Sequence, residues 1–165
     1  MSTAVVDVVA PLAAVFDLNT RLFLNTLDGL EDVEATVRPN RHTNSIAFIG
    51  GHVVEARAWM GRLLGLDTPA PFGGALEHRT SIDTVTSFPT LLEIRAAWQA
   101  TSDQVSARLG TITDAELAGE SGERFPGVPA SLLGAIAFLV QHESYHIGQL
   151  AFVRKYLGRP SMSYR

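Results

Sequence analysis

His142 and His146 stand four residues apart in the run Gln141-His142-Glu143-Ser144-Tyr145-His146-Ile147-Gly148-Gln149, inside an otherwise apolar segment. If that segment is helical, both rings lie on one face, the spacing by which one helix offers two nitrogens to a single metal ion. His52 adds a third imidazole from another apolar, helix-like segment far upstream. Three protein ligands plus open positions is how a catalytic metal site is usually built, so the chemistry to consider is a divalent ion activating a bound water or substrate.

The alternative is two core histidines whose ring nitrogens are satisfied by Tyr145, Gln149 or backbone groups. His52 shifts the balance toward metal. Its neighbours Gly50 and Gly51 each cost a helix interior about 1 kcal/mol relative to alanine, which suggests a close approach or a cavity beside it. Tyr145 and Gln149 are candidates to orient the ligands, since metal-bound histidines commonly direct the second ring nitrogen to an oxygen; simple packing is the alternative. Glu55, three residues after His52, is a candidate for a base or for a group orienting bound water, against the reading of a solvated surface glutamate. Tyr145 is the other catalytic candidate. Glu143 is turned about 100° from its neighbour His142 on a helix and is not assigned as a ligand. His42 and His78 lie in polar connections and read as solvated, with a place at a pocket mouth open to either. Trp59 and Trp98 read as core anchors.

Four helical segments can position these residues. The first spans about Val5 to Leu27, with Pro11 as a bend or as its true beginning. The second follows the capping cluster Thr43-Asn44-Ser45 and repeats Ile46, Ile49, Val53, Ala56, Met60 and Leu63 before Gly65. The third runs from about Pro89 to Leu109 with Ser87 as its cap and Leu91, Ile94, Trp98, Val105 and Leu109 as its stripe. After a helical turn at Thr113 to Leu117, the fourth runs from about Ala130 to Leu157 and is apolar around so much of its axis that it should be central. Few runs look like strands, so an all-α four-helix bundle is expected, as one domain over residues 1–165.

Composition narrows the function. With no cysteine, the chain has neither a disulfide framework nor a thiolate ligand nor a cysteine nucleophile, and a transition metal must be bound by nitrogen and oxygen. The formal charge is −4 and the 13 Lys and Arg residues are scattered, which disfavours nucleic acid as a partner. No apolar run is long enough to cross a bilayer and the apolar N-terminus lacks early basic residues, so a cytoplasmic location without membrane attachment is expected.

The chain resembles the DinB-like four-helix bundles, a family grouped with the YfiT and bacillithiol transferase proteins. The resemblance is carried by Arg38-Pro39 followed by Thr43-Asn44-Ser45-Ile46 and Gly51-His52, by the turn from Ile112 to Leu117, and by Phe138 to Gly158. That last segment holds His142, Tyr145-His146, Gly148-Gln149 and Tyr156-Leu157-Gly158 and is the most distinctive. The family's pattern of one histidine from the second helix and two from the fourth carries over onto His52, His142 and His146. The resemblance implies an up-down-down-up bundle, a homodimer, and a divalent ion on the triad, zinc or nickel first and iron or manganese as further options. It also implies a small-molecule substrate and transfer of a low-molecular-weight thiol to a small electrophile. A metal-dependent hydrolase and a noncatalytic metal-binding stress-response protein are the alternatives, because fold and metal site do not fix chemistry.

Overall fold

The computed structural model describes residues 8–77 and 80–164. It is all-helical, with no strand among those residues beyond an isolated bridge between Glu120 and Ser131. Six α-helices follow one another: α1 (Ala10–Leu27), α2 (Asp32–Ala35), α3 (Ile46–Leu63), α4 (Leu91–Leu109), α5 (Asp114–Ala118) and α6 (Leu132–Tyr156). A 3-10 turn at Ile82–Thr84 interrupts the connection from α3 to α4. The four long helices form a ring in which α1 packs on α4 and α6, and α3 packs on the same two.

Each boundary has a local cause. Pro11 lies in the first turn of α1 and marks its beginning, where a missing N–H is no loss. Of the longer segment expected there, Val5 to Asp7 lie outside the described residues. Ser45 caps α3 by accepting the Phe48 N–H at 3.3 Å. The cap of α4 is Thr90 and not Ser87: Thr90 accepts the Glu93 N–H, and Glu93 reaches back to the Thr90 N–H at 2.7 Å. This reciprocal box satisfies two orphan donors, which Ser87 ahead of Pro89 cannot do. The same box recurs at Glu31 and Glu34 for α2 and at Thr113 and Glu116 for α5. Gly65 and Gly158 follow α3 and α6 at φ +80° and +77°, values that favour glycine.

The core is in two parts with a polar layer between them. One part gathers Phe23, Val53, Ile94, Trp98, Ile147 and Leu150; the other gathers Phe16, Met60, Val105, Ile136, Leu139 and Val140. On every long helix a buried polar residue falls between the two: Asn19 on α1, Arg57 on α3, Ser102 on α4 and Glu143 on α6. Arg57 Nη1 donates to Thr20 Oγ1 at 2.7 Å and Ser102 Oγ at 2.6 Å, while Asn19 donates to the Val140 carbonyl at 3.2 Å. The guanidinium carbon lies over two rings, 3.3 Å from the Trp98 centroid and 3.9 Å from that of Phe16. Four helices are thereby held in one axial register by groups that cannot slide without losing hydrogen bonds.

Candidate metal centre

α3 and α6 pack along their length and bring His52 to His142 and His146. The Nε2 atoms converge: His142 Nε2 is 3.2 Å from that of His52 and 3.1 Å from that of His146. One ligating atom from each ring lies within 4.8 Å of the other two. The outer nitrogens are held from behind. His52 Nδ1 is 2.9 Å from the Leu76 carbonyl, and His146 Nδ1 is 2.7 Å from Gln149 Oε1. Both partners are acceptors, so each Nδ1 carries the hydrogen and each of those Nε2 atoms turns a lone pair toward His142. A neutral His142 can offer one Nε2 hydrogen to those two lone pairs. A cation at the centre would satisfy all three nitrogens together.

The spacing fits such an ion. Metal–nitrogen bonds of about 2.0–2.1 Å place two nitrogens about 2.9 Å apart at a right angle and about 3.4 Å apart at the tetrahedral angle. The observed 3.1 and 3.2 Å lie between these limits. An all-imidazole donor set suits zinc, nickel, copper or iron better than magnesium or calcium. Burial pushes the His146 pKa down to about 4, with His52 adding to the effect and the Gln149 hydrogen bond opposing it. The neutral, ligating form of that ring therefore prevails near neutral pH.

The environment of His52 explains the second of the two glycines before it. A Cβ on Gly51 would come within 2.2 Å of Leu76 Cδ1, so the absent side chain is what lets the chain after α3 descend and put its carbonyl on Nδ1. Gly50 faces Ile94 and Phe23 at ordinary contact distances of 3.5 and 3.8 Å.

Beside the triad opens a cavity of about 580 Å³ whose wall includes His52 and His142. Its aromatic side is a ladder: Trp59 to Phe125 at 5.1 Å, Phe125 stacked on Phe138 at 4.8 Å, and Phe138 to the His142 ring at 6.4 Å. Trp98 is a core anchor as expected, but Trp59 is only partly buried and belongs to this wall. Glu55 is likewise not a solvated surface group. It is 2% exposed, because the segment after α3 folds over it and donates the Phe72 and Gly74 N–H groups to Oε1 at 2.9 and 3.1 Å.

The remaining positions separate cleanly. Glu143 turns away from the triad into the ion pair with Arg57. Tyr145 touches the centre through others: its ring meets His146 edge-on at 5.1 Å and its hydroxyl accepts from Gln149 Nε2 at 3.1 Å. His42 is exposed and lines a separate hollow with Tyr145 and Gln149. His78 lies outside the described residues. Sequence reasoning missed Arg57, Phe125 and the Leu76 carbonyl; an arginine in the apolar face of α3 was the one visible signal among them.

A model of the family described as the DinB superfamily matches residues 16–150. A solved structure, that of a conserved protein from Enterococcus faecalis, superposes with a TM-score of 0.71 at 15% identity, covering 93% of this chain and 98% of that one. The curated proteins contain no match.

Proposed function

Because the chain belongs to the DinB superfamily and carries a histidine triad able to hold a metal ion, we propose that it is a metal-dependent enzyme transferring a low-molecular-weight thiol to a small electrophile. The observation that carries this reading is the convergence of three Nε2 atoms at the wall of a cavity large enough for a small-molecule substrate. His52, His142 and His146 would hold the ion, zinc or nickel before iron or manganese. Bound there, it would supply positive charge that lowers the pKa of a thiol or water.

The chain's own residues prepare the site for that role. Leu76 and Gln149 fix two imidazole tautomers, so the donor set is aimed before anything binds. The Phe125–Phe138 face excludes water from one side of the cavity. With no cysteine in the chain, a nucleophilic sulfur must arrive with the cosubstrate. No helix among the described residues is long and apolar enough to cross a membrane, which accords with a cytoplasmic enzyme drawing on the soluble thiol pool. A homodimer belongs to the same reading, with the exposed Tyr145 and Phe152 side chains of α6 as its contact; sedimentation of wild type against Phe152→Glu tests it.

Metal content by mass spectrometry after reloading tests the central claim. Wild type should hold one ion per chain and His146→Ala none. Assays with and without thiol then decide the chemistry: addition that requires thiol supports transfer, and turnover of an ester without thiol would replace it with hydrolysis. Stoichiometric metal in His146→Ala would sink the assignment.

A further inference from the structure

We propose that Glu55 is the proton-carrying residue of the cavity, donating from Oε2 to the carbonyl oxygen of an α,β-unsaturated ketone or aldehyde whose planar body lies against Phe125 and Phe138. The chemical step rests on the thiol-transfer reading above; the hydrogen bond from Glu55 does not.

The geometry singles out one carboxyl oxygen. Glu55 forms part of the cavity wall one helical turn beyond His52, on the same side of α3. Its Oε1 already accepts two peptide N–H groups. Oε2 is shielded from water and has no hydrogen-bond partner among the described residues. A native structure seldom leaves a buried carboxyl oxygen unpaired, because its desolvation is then uncompensated. A ligand in the cavity can supply the missing partner. With Oε1 taken by two N–H donors, Oε2 is the oxygen left to a ligand, and in the neutral acid it is the hydroxyl that donates to an acceptor oxygen.

Burial, ahead of any neighbouring charge, shifts the carboxyl toward its protonated form. Burial raises the Glu55 pKa most, the Phe72 and Gly74 N–H groups lower it, Glu77 raises it and Arg62 lowers it, with a net upward shift. Glu123 and Arg124 face the cavity as a pair of opposite sign, and His52 and His142 complete its wall. The aromatic ladder suits a flat conjugated body, since ring faces stack best on planar partners.

The step balances. The thiol sulfur forms a bond to the β-carbon, the C=C pair moves toward the carbonyl, and the carbonyl oxygen takes the Oε2 proton. The proton lost by the thiol restores Glu55, and the enol relaxes to the ketone. One thiol and one enone enter and one adduct leaves, with no oxidant or reductant.

Infrared difference spectroscopy with benzylideneacetone, in the absence of thiol, tests the site directly. At pH 7 the wild type should show the C=O stretch of a protonated carboxylic acid, displaced when the ketone binds and missing from Glu55→Gln. The glutamine retains an acceptor for the two N–H groups and a donor for the ketone, so its ketone affinity should stay within about threefold while kcat for thiol addition falls about a hundredfold or more. The wild-type spectrum decides even where the variant fails to fold. An absent acid band, a band unmoved by ketone, or full turnover in Glu55→Gln overturns the proposal. A metal-loaded wild type that displaces the band yet adds no thiol would overturn the transfer reading and leave the Glu55 hydrogen bond established.

Discussion

Arg57 and Glu143 form a two-pronged ion pair in the middle of the bundle, Nε to Oε1 at 2.8 Å and Nη2 to Oε2 at 2.7 Å, with side chains 0% and 1% exposed. One partner stands five residues after His52 and the other directly follows His142, so the pair sets the register of the two helices that build the triad. Removing a single partner leaves the other buried without its counter-charge. Glu143→Ala is expected to lose about 3–5 kcal/mol of stability in urea titration. Arg57→Met combined with Glu143→Leu should lose less than either single change, since the pair's desolvation disappears with it. Additive losses in the double variant would show that the pair does not act as a unit.

Two adjacent glycines should respond in opposite ways. Gly51→Ala forces Leu76 away and with it the carbonyl that holds His52, so metal affinity should fall about 10–100-fold, the usual effect of losing a ligand's outer partner. Gly50→Ala meets Ile94 and Phe23 only at van der Waals distance, and alanine is the better helix former by about 1 kcal/mol. Its metal affinity should match wild type and its urea midpoint should not fall. Chelator competition on both variants provides the check, and equal affinities would remove Leu76 from the site.

What the sequence revealed about the site follows the range of the interactions involved. The spacing of His142 and His146 is local and was legible from helix periodicity, as were Gly65 and Gly158 as stop signals. His52 could be placed on a helix but not against its partners, because that contact depends on how α3 and α6 pack. Glu55 looks like a surface residue until the chain from Phe72 to Gly74 is laid over it, and nothing in its neighbourhood announces that loop. The Leu76 carbonyl is backbone and leaves no side-chain signal at all. Thr90 was the opposite case: its box with Glu93 was written in the sequence, but Pro89 drew the helix start too early.

Acid should unfold the protein partly through its helix caps. Glu34, Glu93 and Glu116 all have carboxyl pKa values below the ordinary range, each chiefly because it accepts the N–H of its cap residue. For Glu116 the Thr113 N–H and hydroxyl act first and Arg108 next, bringing it to about 2. An unfolded glutamate titrates near about 4.3, so these caps stabilise fully above that pH and lose their contribution as pH falls through the folded values. Urea midpoints from pH 7 to pH 2 should therefore decline below about pH 4.3. Glu116→Gln should start lower at pH 7 and decline less; a parallel curve would remove Glu116 from the acid response.

Gln149 and Tyr145 are neighbours in one relay but should not matter equally. Gln149 Oε1 holds His146 directly, whereas the Tyr145 hydroxyl only accepts from the amide on the far side of that glutamine. Gln149→Leu leaves His146 free to turn or to change tautomer, so metal affinity should drop about 10–100-fold with the fold intact. Tyr145→Phe keeps the ring edge against His146 and removes a single hydrogen bond in an exposed position, and its affinity should stay close to wild type. Chelator competition, with circular dichroism to verify folding, separates the two. A large loss in Tyr145→Phe would mean that the hydroxyl, through the orientation of the Gln149 amide, decides whether its oxygen or its nitrogen faces the imidazole.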